Sequence, residues 1–182
     1  MSTELLMSDS SRTNGPAEIV MDYIISYTLR CSKGCNKMPK FEKASRYILL
    51  QLLEQSEENQ EILSVKTWKQ WKRIDLTVEV SLIRNGKEEK HVIVIEDKYY
   101  TAPHDNQLIR YREAVDDYYD DKWEKHYVLL TAVYRSDQQF DINYSGVEAE
   151  GYKLYCIKEL VKDITEPTES DIFNQLWLAD WH

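Results

Sequence analysis

Asp75, Glu96 and Lys98 are the residues in this chain whose types and spacing could do chemistry. They belong to two stretches, WKRIDLTVEV and HVIVIEDKYY, that both read as strands because branched residues crowd them, with the turn signal Asn85-Gly86 between. Side chains alternate across a strand, so Glu96 and Lys98 share a face while Asp97 points the other way. Asp75 alternates against Ile74 and Leu76, and a hairpin joining the two strands brings it alongside Glu96 and Lys98. Two carboxylates and an ammonium at the end of an apolar sheet are costly to bury. Together such groups can hold a divalent cation and position a water, which is the chemistry of phosphodiester hydrolysis.

The apolar pattern predicts the elements that must carry these residues. Pro16 opens a helix over PAEIVMDYIISYTLR, with Ile19, Tyr23, Ile24 and Tyr27 at helical spacing, and CSKGCNK breaks it. Pro39 starts a second helix whose face is Phe41, Ala44, Tyr47, Ile48 and Leu52. Strands are expected around 64–72, 73–83 and 90–99, and a helix over about 105–119. HYVLLTAVY, at 126–134, reads as a buried strand from its continuous apolar run. QFDINYSG and GYKLYCI read as shorter strands, IKELVKDI and SDIFNQLWLADWH as closing helices. No internal repeat or interdomain linker interrupts the pattern, which predicts one domain over 16–182 behind a flexible tail at 1–15. This order implies an α/β chain with a mixed sheet covered on both faces.

On these residues the chain resembles the PD-(D/E)XK nuclease superfamily. Asp75 stands for the first carboxylate and Glu96-Asp97-Lys98 for the E-x-K half, with Ile74 where the family name has Pro. HDNQLIRYREAV extends the likeness: Gln107 and Tyr111 match the Q-x-x-x-Y helix that follows the E-x-K strand in one bacterial branch, and at i and i+4 they share a helix face. That branch also carries an acidic residue on a helix before the sheet; in FEKASRYILLQLL this is Glu42, with Glu18 as a second choice. The resemblance runs from Ile74 to Tyr111, and more loosely over residues 41–53.

It implies a restriction-endonuclease-like three-layer α/β/α sandwich. It further implies a metal-dependent nuclease acting on DNA, in defence against foreign DNA or in repair. Asp75 and Glu96, with the main-chain carbonyl after Glu96, would ligate Mg²⁺ or Mn²⁺, which keeps several waters and needs few carboxylates. Lys98 would orient the attacking water or stabilise charge at phosphorus. Glu42, Gln107 and Tyr111 would support the site. Two other readings stay open: a non-catalytic binding or assembly module of the same fold, and an acidic inhibitor that mimics nucleic acid.

Composition bounds these readings. The chain has 182 residues, 42% of them hydrophobic, enough for a real core. No apolar run is long enough to span a bilayer, and no signal peptide is evident, so a cytoplasmic protein is expected. An odd number of cysteines, 3, fits a reducing compartment, and Cys31 and Cys35 lack the further ligands of a zinc site. His104 and His126 show no ligand spacing and read as surface or capping residues. The formal net charge of −9 weighs against tight non-specific DNA binding. The segment KTWKQWKR is locally basic, however, and offers Lys69, Lys72 and Arg73 to phosphate, with Trp68 and Trp71 either stacking on bases or packing inward. Duplex cleavage calls for two centres, so a homodimer or a larger defence complex is expected. The apolar end LWLADWH (Leu176, Trp177, Leu178, Trp181) is the surface for it unless it packs on its own domain.

Overall fold

The structure, a computed structural model, describes residues 15–58, 60–104 and 106–179. Of the tail expected at 1–15, only Gly15 is among them, and it opens a helix; Trp181 also lies outside the described residues. Helices α1 (Gly15–Cys31) and α2 (Pro39–Leu52) come first. They are followed by β1 (Gln60–Lys69), a 3₁₀ turn at Trp71–Arg73, β2 (Leu76–Arg84) and β3 (Lys87–Lys98). Then come α3 (Gln107–Asp116), β4 (Trp123–Thr131), α4 (Gln138–Tyr144) and β5 (Lys153–Cys156). The short helices α5 (Ile157–Leu160) and α6 (Asp171–Phe173) close the chain, α6 running into a wide turn at Asn174–Leu178.

The strands form one five-stranded sheet in sequence order. β1, β2 and β3 pair antiparallel, whereas β3–β4 and β4–β5 are parallel. The β2–β3 hairpin is closed by Asn85 and Gly86, both left-handed (φ 51° and 78°), the backbone that a two-residue loop with native strand twist requires. Strand alternation splits the core in two. Ile93 and Ile95 of β3 face α1 and α2, packing with Val78, Val80, Ile25, Ile48 and Leu49. Val92 and Val94 face the opposite way, against Leu108, Val115, Phe140 and Tyr144 of α3 and α4. The result is the expected three-layer α/β/α sandwich with a mixed sheet.

Several expectations are corrected. The strand expected at 73–83 begins only at Leu76; Trp71–Arg73 form a turn in which Gln70, Lys72 and Arg73 all have positive φ. QFDINYSG is helical, because Asp137 caps the backbone N–H of Gln139 and because Phe140 and Tyr144, four apart, bury one helix face. On α1 the buried stripe is Met21, Ile24, Ile25 and Leu29, while Ile19 and Tyr23 are exposed. The C-terminal turn packs on its own chain: Leu176 and Trp177 are fully buried, and the Trp177 indole donates to Thr28 Oγ1 at 3.0 Å. Leu176 and Trp177, two of the residues expected to meet a second subunit, are thereby covered by the chain itself. No helix among the described residues is long and apolar enough to cross a membrane.

Candidate active site

The last paired residues of the hairpin, Leu76 and Ile95, bring Asp75 and Glu96 next to each other one step further on. Directly opposed residues point to one face. Glu96 shares its face with Val92 and Val94, so a buried apolar strand delivers the carboxylate into the interior, where it is 0% exposed. Lys98, two residues on, is 6% exposed. Its ammonium contacts Glu96 Oε1 directly and lies 4.0 Å from Asp75 Oδ2. One cation thus stands against both carboxylates at the carboxyl end of β3, where antiparallel pairing gives way to parallel.

Asp75 sits on a built turn. Gln70 Nε2 donates to Asp75 Oδ1 at 3.3 Å, and Gln70 N donates to the Asp75 carbonyl at 3.2 Å. The Tyr111 hydroxyl donates to the Arg73 carbonyl at 2.5 Å and accepts from Gln107 Nε2 at 2.8 Å. Gln107 and Tyr111 therefore brace the turn that presents Asp75. Trp71 packs edge-on against Tyr118 and Tyr119, with centroids 4.9 and 5.9 Å apart. These contacts hold three residues in left-handed conformations that L side chains rarely adopt.

Other residues fall elsewhere. Glu42 is in the first turn of α2, where its Oε2 accepts from Cys35 N at 3.1 Å and closes the α1–α2 loop. Glu18 stands at the opposite end of α1, roughly 20 Å along the helix axis. Its Oε1 accepts from Tyr99 N at 3.3 Å and Thr101 Oγ1 at 2.8 Å, pinning the chain just after Lys98. The structure thus brings Glu18 to this neighbourhood and leaves Glu42 outside it. Lys69 pairs with Asp22 at 3.0 Å and lies over the Tyr23 ring, so it is engaged within the protein, whereas Lys72 and Arg73 are exposed beside Asp75.

Asp97 points to the other face, as the alternation requires, and meets Asp22 of α1. Sequence reasoning missed Asp22, which carries no motif signal. Burial, reinforced by Asp75, raises the Glu96 carboxyl to about 8. Burial alone would lower Lys98, but Glu96 and Asp75 outweigh it and hold the ammonium at about 12. Burial also pushes up both Asp97 and Asp22. With more carboxyls than ammonium groups in these dry surroundings, the metal-free protein favours the protonated forms of Glu96, Asp97 and Asp22.

Glu96 Oε2 is buried without a hydrogen-bond donor, Glu96 Oε1 meets only the Lys98 ammonium, and on the other face Asp97 Oδ2 and Asp22 Oδ1 are likewise buried without donors. Buried carboxylate oxygens are normally satisfied. The pair Glu96 and Asp75, with Glu96 Oε2 left without a donor, fits a hard divalent cation such as Mg²⁺ or Mn²⁺.

A sequence model described as the PD-(D/E)XK nuclease superfamily matches residues 6–173. Among solved structures the chain is similar to the MspJI restriction endonuclease in complex with a 27-mer oligonucleotide. The TM-score is 0.35 at 12% identity, covering 99% of this chain and 39% of that one. The chain thus spans about two fifths of that structure's length. No curated protein sequence matches it.

Proposed function

The chain belongs to the PD-(D/E)XK nuclease superfamily, and from that premise we propose that it hydrolyses phosphodiester bonds in DNA. The observation that carries the proposal is the convergence of Asp75 and Glu96 on Lys98 at the end of a buried strand, with Glu96 Oε2 lacking a donor. Asp75 and Glu96 would hold Mg²⁺ or Mn²⁺. Such a cation, when bound, polarises the phosphate and lowers the pKa of a coordinated water.

The remaining roles belong to the chain itself. Lys98 faces both carboxylates, so its ammonium orients the attacking water or stabilises the charge that develops on the phosphate oxygens. Tyr111 and Gln107 hold Asp75 in place through the Arg73 carbonyl. Lys72 and Arg73, exposed on the same turn, meet the DNA backbone. Defence against foreign DNA or repair is the setting we assign to such an activity.

One observation favours a second reading, a non-catalytic module. Glu96 Oε1 is closed onto Lys98, and Asp75 Oδ1 is taken by Gln70. Plasmid and single-strand cleavage decide between the two. The enzyme cuts with Mg²⁺ or Mn²⁺, stops in EDTA and loses activity in Lys98→Ala; a module cuts under none of these conditions.

A further inference from the structure

The opposite end of β3 carries a second cluster. Glu89-Lys90-His91 on β3 and Glu124-Lys125-His126 on β4 are the same tripeptide. The parallel register sets His91 beside Glu124. Residues two apart share a face, so Glu89, His91, Glu124 and His126 all project to the α1–α2 side of the sheet, in line with Ile93, Ile95, Val128 and Leu130. His91 is fully buried, the His126 side chain is 9% exposed, and Glu124 reaches solvent. Five residues of strand, about 16 Å, separate His91 from Glu96.

His91 Nδ1 and His126 Nε2 face each other at 3.1 Å. Glu124 sets one oxygen 3.5 Å from His91 Nδ1 and the other 3.7 Å from His126 Nε2. Around a tetrahedral Zn²⁺, with ligands at about 2.0–2.2 Å, neighbouring donor atoms stand about 3.3–3.5 Å apart. The ring-to-ring separation and the approach of a Glu124 oxygen to each ring nitrogen lie near that value, and one donor atom from each of the three residues can be chosen with all of them within 4.8 Å of one another. A plain hydrogen bond between the rings accounts for only one of these separations, and 3.7 Å is too long to be another.

The groups behind His91 point the same way. Its Nε2 lies 3.4 Å from Glu89 Oε2, a buried oxygen with no hydrogen-bond partner, while Glu89 Oε1 is held by Arg84 at 3.0 Å. A carboxylate behind an imidazole favours the tautomer whose N–H points at it and so leaves the other nitrogen's lone pair free for a metal.

We propose that His91, His126 and Glu124 form a binding site for one transition-metal cation of the Zn²⁺ class, which ties β3 to β4 at the end remote from Glu96. Two imidazoles and one carboxylate suit Zn²⁺ better than Mg²⁺, which prefers oxygen donors. Glu124 also lines a solvent-open groove with Arg84, Glu88 and Lys122, from which water would complete the shell. The site does not depend on the nuclease reading.

The test uses the full chain carrying Glu96→Gln, which removes the other candidate site, after stripping with chelator and dialysis. Co²⁺ is titrated while the visible absorption of four-coordinate cobalt is followed, and Zn²⁺ is then added. The site predicts one Co²⁺ per chain, its displacement by Zn²⁺, and a melting temperature raised by Zn²⁺. Adding His126→Gln abolishes uptake at micromolar metal. Adding Glu124→Gln, at a solvent-exposed position that leaves the circular dichroism unchanged, weakens it by about tenfold or more. Failure of the Glu96→Gln protein to bind Co²⁺, or uptake undiminished by His126→Gln and Glu124→Gln, overturns the proposal and leaves a hydrogen-bonded histidine pair only.

Discussion

Replacing Glu96 by Gln should make the metal-free protein more stable, by an amount that grows with pH. The carboxyl is fully buried and raised from 4.5 to about 8 by burial and then by Asp75. The sign follows from proton binding. Between these two values the folded chain holds a proton that the unfolded chain has released, so stability is lost as pH rises from 4.5 toward 8. At about 1.4 kcal/mol per pH unit, the loss at pH 7 is on the order of 3 kcal/mol. Lys98 adds no slope in this window, because its shift from 10.5 to about 12 makes its stabilisation fall only above pH 10. Asp22 and Asp97 are raised as well, but both proteins keep them and Glu96 is the smallest of the causes acting on Asp97, so Glu96 dominates the difference between the two. Thermal melting in EDTA from pH 5 to 8.5 is the assay. At about 2–4 °C per kcal/mol for a domain of this size, Glu96→Gln should melt roughly 6–12 °C above wild type near pH 7 and close to it near pH 5. A difference independent of pH, or a variant that melts lower at pH 8.5, would refute the reasoning.

Tyr111→Phe removes the hydroxyl that anchors the Arg73 carbonyl; about 1 kcal/mol of stability should go, together with a fall in kcat larger than any rise in KM. Steady-state kinetics beside a urea melt checks this. Lys72→Ala and Arg73→Ala should each lower DNA affinity and reduce the log–log salt slope by about 1, as fluorescence anisotropy reads it. Lys69→Ala should instead lower the melting temperature, because Lys69 is paired with buried Asp22. Trp177→Ala should cost about 3–5 kcal/mol in a denaturant melt yet leave the mass seen by light scattering unchanged, because Trp177 is buried within its own chain.

What was legible in the sequence was whatever local pattern controls. The Asn85-Gly86 turn and the run Val92–Ile95 set the hairpin, its register and the shared face of Glu96 and Lys98. The α2 face at Phe41, Ala44 and Ile48 was equally plain. The turn before Asp75 was not, because WKQWKR holds no Gly, Pro or Asn; its left-handed residues are kept in place by Tyr111, 38 positions away, and by Trp71 on Tyr118 and Tyr119. Alternating aromatic and branched residues suggested a strand at QFDINYSG, and an Asp137 cap with a buried i, i+4 pair overrode it. Glu18 and Glu42 are both helical acids, and only the docking of α1 on the sheet tells them apart. The His91–His126 cluster needed the parallel register, since its halves lie 35 residues apart.

Single-turnover cleavage of a labelled DNA strand, started by Mn²⁺, tests the central claim most directly. Wild type, Asp75→Asn and Glu96→Gln are compared after each is shown to be folded by circular dichroism. Wild type should cleave rapidly, and each variant should lose about a thousandfold or more, equivalent to about 4 kcal/mol of transition-state stabilisation. A wild type that does not cleave, or variants that cleave at its rate, would contradict the assignment of these carboxylates to catalysis.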